Sequence, residues 1–387
     1  MVTALKQIAR KFGLSKRLLE IYYYYLPYLL FDGKAFHARK MTIELTYLCN
    51  LNCEMCPLRL AENGMNGPEE RDRLRIDEWK TVLRDFASQG GKHLTITGGE
   101  PMLVKDYGSV IQTAASLGLK ANLLSNATLV TKENAVALAK NGLRDLTISI
   151  DGSKEIHDRI RGKGSYNKTI SGIKMIAKAK ARVKSSLPNI HCSFTLTSTN
   201  QNSITDFVKE LPDKILKSIS INRIFYTTQK RLHATQKITG NNWIKKEDWI
   251  LPRQFCTYNP EIVTKELFNA KSVAAERGIS FSISPIFSEK NFEQQIRYDP
   301  PPFAKQCYYP WITARIDPSG YVYACSISKR LGNIREKRFA DIWNDKPYQE
   351  FRKMLQEKSL LPLCSACCVL TKPEWNILPR KMKRSYK

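Results

Sequence analysis

Long apolar runs are missing from this sequence, and with them any segment that would span a bilayer. The most apolar stretch, Leu18 to Phe31, is interrupted by Glu20 and Pro27 and falls short of the roughly 20 residues a spanning helix needs. No short apolar core with a small-residue cleavage site opens the chain, so no secretory signal is read there. Acidic residues are scarce: 36 Asp and Glu stand against 62 Lys and Arg, a formal charge of +26 over 387 residues. Such a field draws in phosphate-bearing partners, among them nucleotides, lipid-linked sugars and membranes. Basic residues do not alternate with aromatics, and no helix-turn-helix or RNA-recognition signature is present, so nucleic acid is not expected as a partner. Internal repeats and low-complexity tracts are absent too. The ten cysteines are too unevenly spaced for a secreted disulfide framework, which points to a reducing, cytoplasmic compartment.

What is present is a rhythm. From Met41 to Phe225, β-branched runs alternate with amphipathic segments, the pattern of strand–helix units on a parallel sheet. The six strand candidates are Thr42 to Thr46, His93 to Thr97, Ala121 to Leu124, Leu146 to Ile150, His191 to Thr197 and Ser218 to Arg223. Helices are expected at Asp77 to Gln89, Asp106 to Leu117, Lys132 to Lys140, Asn167 to Lys180 and Ser203 to Leu211, with Asp77 and Ser203 as caps and Gly90, Gly118 and Gly142 as stops. The fold class is α/β, a partial (β/α)6 TIM-like barrel over residues 41–225. Residues 226–300 read as the barrel's end and a connector, with a helix at Pro260 to Arg277 and a strand at Ile279 to Ser284. Residues 301–371 form a small α+β domain with a hairpin, Thr313 to Asp317 and Tyr321 to Cys325, and a helix at Pro347 to Lys358. Residues 372–387 are a basic tail, and residues 1–40 a basic, aromatic helical segment. That first segment carries Lys6, Arg10, Lys11, Lys16 and Arg17 ahead of its aromatics, so it either packs on the barrel or makes peripheral contact with an anionic membrane.

Cys49, Cys53 and Cys56 follow the first strand candidate directly. Three thiolates on one loop can hold three irons of a [4Fe–4S] cluster, leaving the fourth open to a ligand. Zinc, which wants four ligands, is the alternative, and no further cysteine or histidine stands near enough to complete its set. Gly98, Gly99, Glu100 and Pro101 follow the second strand candidate; glycines allow close backbone approach, and Glu100 can pair with a cationic amine. Ser125 and Asn126 close the third strand, and Ser149 and Asp151 the fourth, where a hydroxyl and a carboxylate could hold a ribose diol or cap a helix. Arg161 is a candidate partner for a carboxylate. All lie at, or just beyond, the strand ends where parallel folds gather ligands.

This C-x-x-x-C-x-x-C loop, with the Gly-Gly-Glu-Pro turn, resembles the radical S-adenosylmethionine (SAM) superfamily. Toward the C-terminus, Cys307, Gly320 with Cys325, and the Cys364, Cys367, Cys368 group are similar to that superfamily's SPASM extension, and Leu331 to Arg335 with Asp341 to Asn344 resemble its middle segment. The pattern departs from a full SPASM domain because no cysteine follows Cys368, which leaves ligands for one cluster, as in the shorter twitch form. The resemblance assigns Cys307, Cys325, Cys364 and Cys367 to an auxiliary [4Fe–4S] cluster, with Cys368 as an alternative to Cys367 and a zinc ribbon as the competing reading. Cys192 and Cys256 are left over, each either a small buried hydrophobe or a thiol hydrogen donor to a substrate radical.

The resemblance implies an enzyme that reductively cleaves SAM, with an electron from a carrier such as flavodoxin or ferredoxin, to a 5′-deoxyadenosyl radical that abstracts a hydrogen atom. The short segment before Met41 leaves no room for a winged-helix peptide-binding module, and with the basic surface this points to an anionic small-molecule or lipid-linked substrate, a sugar or nucleotide derivative. The alternative is a peptide-modifying maturase that crosslinks or epimerises, its recognition module supplied separately. A non-catalytic basic zinc protein binding RNA would account for cysteines and charge, but not for Gly98 to Pro101 or for Ser149 and Asp151 at successive strand ends.

Overall fold

In the computed structural model, which describes residues 23, 26–60, 65, 67–224, 228–240, 255, 257–284 and 306–367, the strand–helix rhythm becomes one ten-stranded sheet. Strands β1 (Lys40–Glu44), β2 (His93–Thr97), β3 (Lys120–Ser125), β4 (Asp145–Ser149), β5 (Asn189–Leu196), β6 (Leu216–Arg223) and β7 (Ser280–Ser284) lie side by side, each parallel to the next. At this edge the array runs one strand beyond the six expected, because the strand read at Ile279 to Ser284 joins the edge of β6.

Parallel neighbours need crossovers, and helices supply them. They are α1 (Ile76–Ser88), α2 (Tyr107–Ser116), α3 (Lys132–Lys140), α4 (Lys154–Arg161), α5 (Ser165–Arg182), α6 (Ile204–Glu210), α7 (Gln229–Thr239) and α8 (Pro260–Glu276). The cap of α1 is Arg75 rather than Asp77: Glu78 accepts the Arg75 backbone N–H at 2.8 Å, while Asp77 lies inside the first turn. Side chains alternate along each strand. On β5, Ile190, Cys192, Phe194 and Leu196 are buried, with Phe194 against Phe207 of α6 at 4.9 Å; His191, Ser193 and Thr195 occupy the opposite, half-buried face.

At the other edge of the sheet, β8 (Thr313–Ile316) pairs parallel with β1, and β9 (Tyr321–Tyr323) and β10 (Gly332–Asn333) continue antiparallel. The C-terminal hairpin is therefore an extension of the barrel's own sheet. Helices α9 (Phe339–Trp343) and α10 (Lys346–Lys358) complete this part. It is braced on α1 by Arg335, whose Nε donates to Glu78 at 2.8 Å, and by Ala340, whose N–H donates to Asp85 at 2.9 Å. Helix α7, unmarked in the sequence reading, packs on the turn Pro362–Ala366, with the Leu363 N–H donating to Thr235 Oγ1 at 3.1 Å. Among the described residues no helix is long and apolar enough to cross a membrane. Most of the basic N-terminal segment, Cys256, Cys368 and the basic tail lie outside the described residues.

Candidate functional site

The loop carrying Cys49, Cys53 and Cys56 leaves β1 under tight control. Glu70 accepts the Thr46 hydroxyl at 2.8 Å and the Tyr47 N–H at 2.6 Å. Farther along, the Glu54 N–H donates to the Ile160 carbonyl at 3.0 Å, which ties the loop to α4. The Leu51 N–H points at Cys49 Sγ at 3.5 Å, Asn126 Nδ2 stands 3.9 Å from Cys49 Sγ, and Arg161 Nη1 stands 3.9 Å from Cys53 Sγ. Burial pushes Cys53 up to about 11 against the pull of Arg161, and Cys49 is also pushed up by burial; in both cases the neighbouring thiols add to the shift. Three mutually repelling sulfurs beside N–H donors form a donor set that fits three corners of a [4Fe–4S] cluster, whose iron would replace the protons.

Gly98 and Gly99 are required by protein rather than ligand contact. A Cβ on Gly98, at φ +131°, would meet the Thr46 carbonyl oxygen at 2.1 Å, and one on Gly99 would meet the Leu48 carbonyl at 2.2 Å. The turn locks onto the cysteine loop through Gly99 N–H to Thr46 O at 2.7 Å and Glu100 N–H to Leu48 O at 2.8 Å. Pro101 opens the short 3₁₀ turn that follows. Glu100 is fully buried and accepts from the Met102 N–H at 3.0 Å, the Ser125 hydroxyl at 2.9 Å and the Asn126 N–H at 2.8 Å. Burial raises its pKa, and those donors oppose the rise.

Asp151 is also fully buried, but its carboxylate is engaged. It accepts from Arg161 Nε at 2.5 Å and from the Thr195 N–H at 2.7 Å, so its first role is to hold Arg161 rather than to lie free for a ribose. Burial works against the Arg161 cation, yet Asp151 and Cys53 keep it protonated. Behind this pair, His157 Nδ1 accepts the Asp151 backbone N–H at 3.2 Å, and burial pushes the imidazole down to about 4.

A cavity of about 410 Å³ opens between the triplet and the strand ends. All three cysteines border it, with Gly98, Gly99, Ser125, Asn126, Ser149 and Arg161 from the predicted set. Glu100 and Asp151 sit behind these residues as supports. Sequence reasoning missed Thr97, Thr195, Asn222 and Arg223 in the lining, although each stands at the C-terminal end of a strand. Cys192 is not in the lining: it shares the core-facing row of β5 with Phe194, and burial pushes its thiol up. That placement removes the geometric basis for a hydrogen donor.

In the C-terminal part, Cys307, Cys325 and Cys364 come together closely enough for their charges to interact. Burial pushes Cys307 up to about 12, with Cys325 adding to it, and Cys364 is raised by burial and then by both other thiols. Burial raises Cys325 too, opposed by the Ile327 and Ser328 N–H groups and by Arg315. Cys367 follows in the same turn, its N–H donating to the Cys364 carbonyl at 3.1 Å. Cys307, Cys325 and Cys364 are thus neighbouring thiols of the kind an iron–sulfur cluster takes, with Cys367 three residues beyond Cys364.

Two family models match the chain: the radical SAM superfamily over residues 43–211 and an iron–sulfur cluster-binding domain, SPASM, over residues 307–368. The sporulation killing factor maturation protein SkfB of Bacillus subtilis is 32% identical over 44% of this chain and 38% of its own length. An AdoMet-dependent heme synthase of Oleidesulfovibrio alaskensis is 25% identical over 88% of this chain and 83% of its own. The PqqA peptide cyclase of Rhodopseudomonas palustris is 38% identical over 31% of each chain. In fold, the chain is similar to SuiB of Streptococcus suis bound to S-adenosylmethionine, with a TM-score of 0.62 at 15% identity over 87% of this chain and 73% of that one.

Proposed function

This chain is a radical SAM enzyme with a C-terminal auxiliary iron–sulfur domain, and from that premise we propose that its substrate is a peptide. The observation that carries the proposal is the likeness of part of the chain to proteins named as a maturation protein and a peptide cyclase. It replaces the anionic small-molecule or lipid-linked substrate expected from the surface charge. The cavity is compatible with the change: beside Arg161, paired with Asp151, and Arg223, its lining includes the neutral polar side chains of Thr97, Ser149 and Thr195.

When bound, the triplet cluster and SAM supply a 5′-deoxyadenosyl radical. The residues of the chain hold and shield that chemistry. Ser149, Arg161 and the edge made by Gly98 and Gly99 border the space for SAM, and Glu100 fixes Ser125 and Asn126 beneath it. Asn126 and Arg161 direct N–H groups toward Cys49 and Cys53, and Leu51 and Met55 give the cavity an apolar wall that limits water. Cys307, Cys325, Cys364 and Cys367 would hold the auxiliary cluster, and a flavodoxin- or ferredoxin-class carrier would deliver the electron.

The test is 5′-deoxyadenosine release by the reconstituted enzyme under a strong reductant, with and without candidate precursor peptides, read with peptide mass. Release that rises with one peptide, together with a mass change in it, is the expected result. Release stimulated by a sugar or nucleotide derivative and by no peptide would overturn the proposal.

A further inference from the structure

One ion pair lies where the two cluster-bearing parts share a sheet. Arg315 of β8 grips Glu44, at the end of β1, through Nη2 to Oε1 at 2.6 Å and Nε to Oε2 at 3.0 Å. Glu44 is 5% exposed, so the pair is drawn largely out of water, where a bidentate contact keeps much of its strength. Each partner also touches the surroundings of a different cluster. The third nitrogen of Arg315, Nη1, donates at 3.1 Å to Ser326 Oγ, the residue after Cys325, which sets its charge beside that cysteine. Glu44 accepts the Tyr47 hydroxyl at 3.4 Å, two residues before Cys49.

We propose that Glu44 and Arg315 form a positioning pair that sets the electron affinity of the auxiliary cluster, Arg315 favouring its reduced form and Glu44 tempering that cation. The reduced cluster carries one more negative charge than the oxidised one, so a nearby cation stabilises it and raises the reduction potential, and a nearby carboxylate does the reverse. A substitution at either residue therefore moves the potential in a direction fixed by the charge removed. A pair that served only to fasten β8 to β1 would have no such sign. This inference holds whatever the substrate.

The experiment is a spectroscopic redox titration of the auxiliary cluster in the full chain, with Cys49, Cys53 and Cys56 replaced by alanine so that one cluster is read. Glu44→Gln is expected to raise the midpoint potential, Arg315→Gln to lower it, and the double substitution to fall between them. Shifts in the same direction for both single variants, or no shift in Glu44→Gln, would overturn the proposal. If Arg315→Gln does not fold with its buried carboxylate unpaired, Glu44→Gln and the double variant decide the matter: the first must titrate above the second, and equal midpoints would reject the pair's role.

Discussion

Replacing Gly98 with alanine should loosen the site without touching any cluster ligand. The residue sits at φ +131°, where a side chain costs about 1–3 kcal/mol of backbone strain. The added Cβ would also start 2.1 Å from the Thr46 carbonyl oxygen and must retreat to the 3.4 Å at which ordinary contact begins. Overpacking of that kind costs about 1–3 kcal/mol more, so the total is about 2–6 kcal/mol against a typical 5–15 kcal/mol for a whole protein. The movement falls on the Thr46 carbonyl, which accepts the Gly99 N–H at 2.7 Å and lies three residues before Cys49. Gly118→Ala is the control: it also has positive φ, +70°, but nothing lies within 4 Å of its Cβ, so only about 1–2 kcal/mol is expected. Urea unfolding of the apo-chain followed by tryptophan fluorescence gives both stabilities, and iron retained after reconstitution reports the loop. Equal destabilisation by the two substitutions would refute the reasoning, because it would mean that the Thr46 contact adds nothing.

Two further outcomes follow from buried groups. His157 is held neutral, with its pKa pushed below the ordinary 6.5 to about 4. The unfolded chain therefore binds the proton first: the stability is complete above about pH 6.5 and falls by about 1.4 kcal/mol per unit toward pH 4. In His157→Gln the urea midpoint should lose that part of its slope, and identical slopes would show that the ring titrates freely. Cys192→Ser should cost about 1–3 kcal/mol by burying a hydroxyl without a ready partner, yet keep both 5′-deoxyadenosine release and peptide product at native levels. Loss of product with release intact would restore the thiol as a hydrogen donor.

Local signals in the sequence translated well where one residue's neighbours decide its conformation. His93 to Thr97 is a strand with the expected ends, and Lys132 to Lys140 a helix with the expected ends, because β-branched alternation and a Thr131 cap are both short-range facts. The Gly-Gly-Glu turn was legible as a motif, but its reason was not: the partners of Gly98 and Gly99 are carbonyls of the cysteine loop, some fifty residues earlier. Long-range pairings were illegible in the same way. Nothing in Asp151 announces that Arg161, ten residues on, will claim its carboxylate, since helix α4, which carries the arginine there, is not among the expected helices. Helix α7 was missed because its polar surface gives a weak pattern; a Thr228 cap and packing against the Cys364 turn support it.

The pairing of β8 with β1 also bears on how the protein can be handled. In a fragment ending before Pro300, the strand that launches the cysteine loop would lose one of its two hydrogen-bonded neighbours and become a bare margin, with Met41 and Ile43 beside unpaired amides. Such a margin is a template for another chain, and self-association is the expected fate. Dissection at the connector would then give sticky halves in place of two working modules, and each cluster is best studied by silencing the other's cysteines in the intact chain.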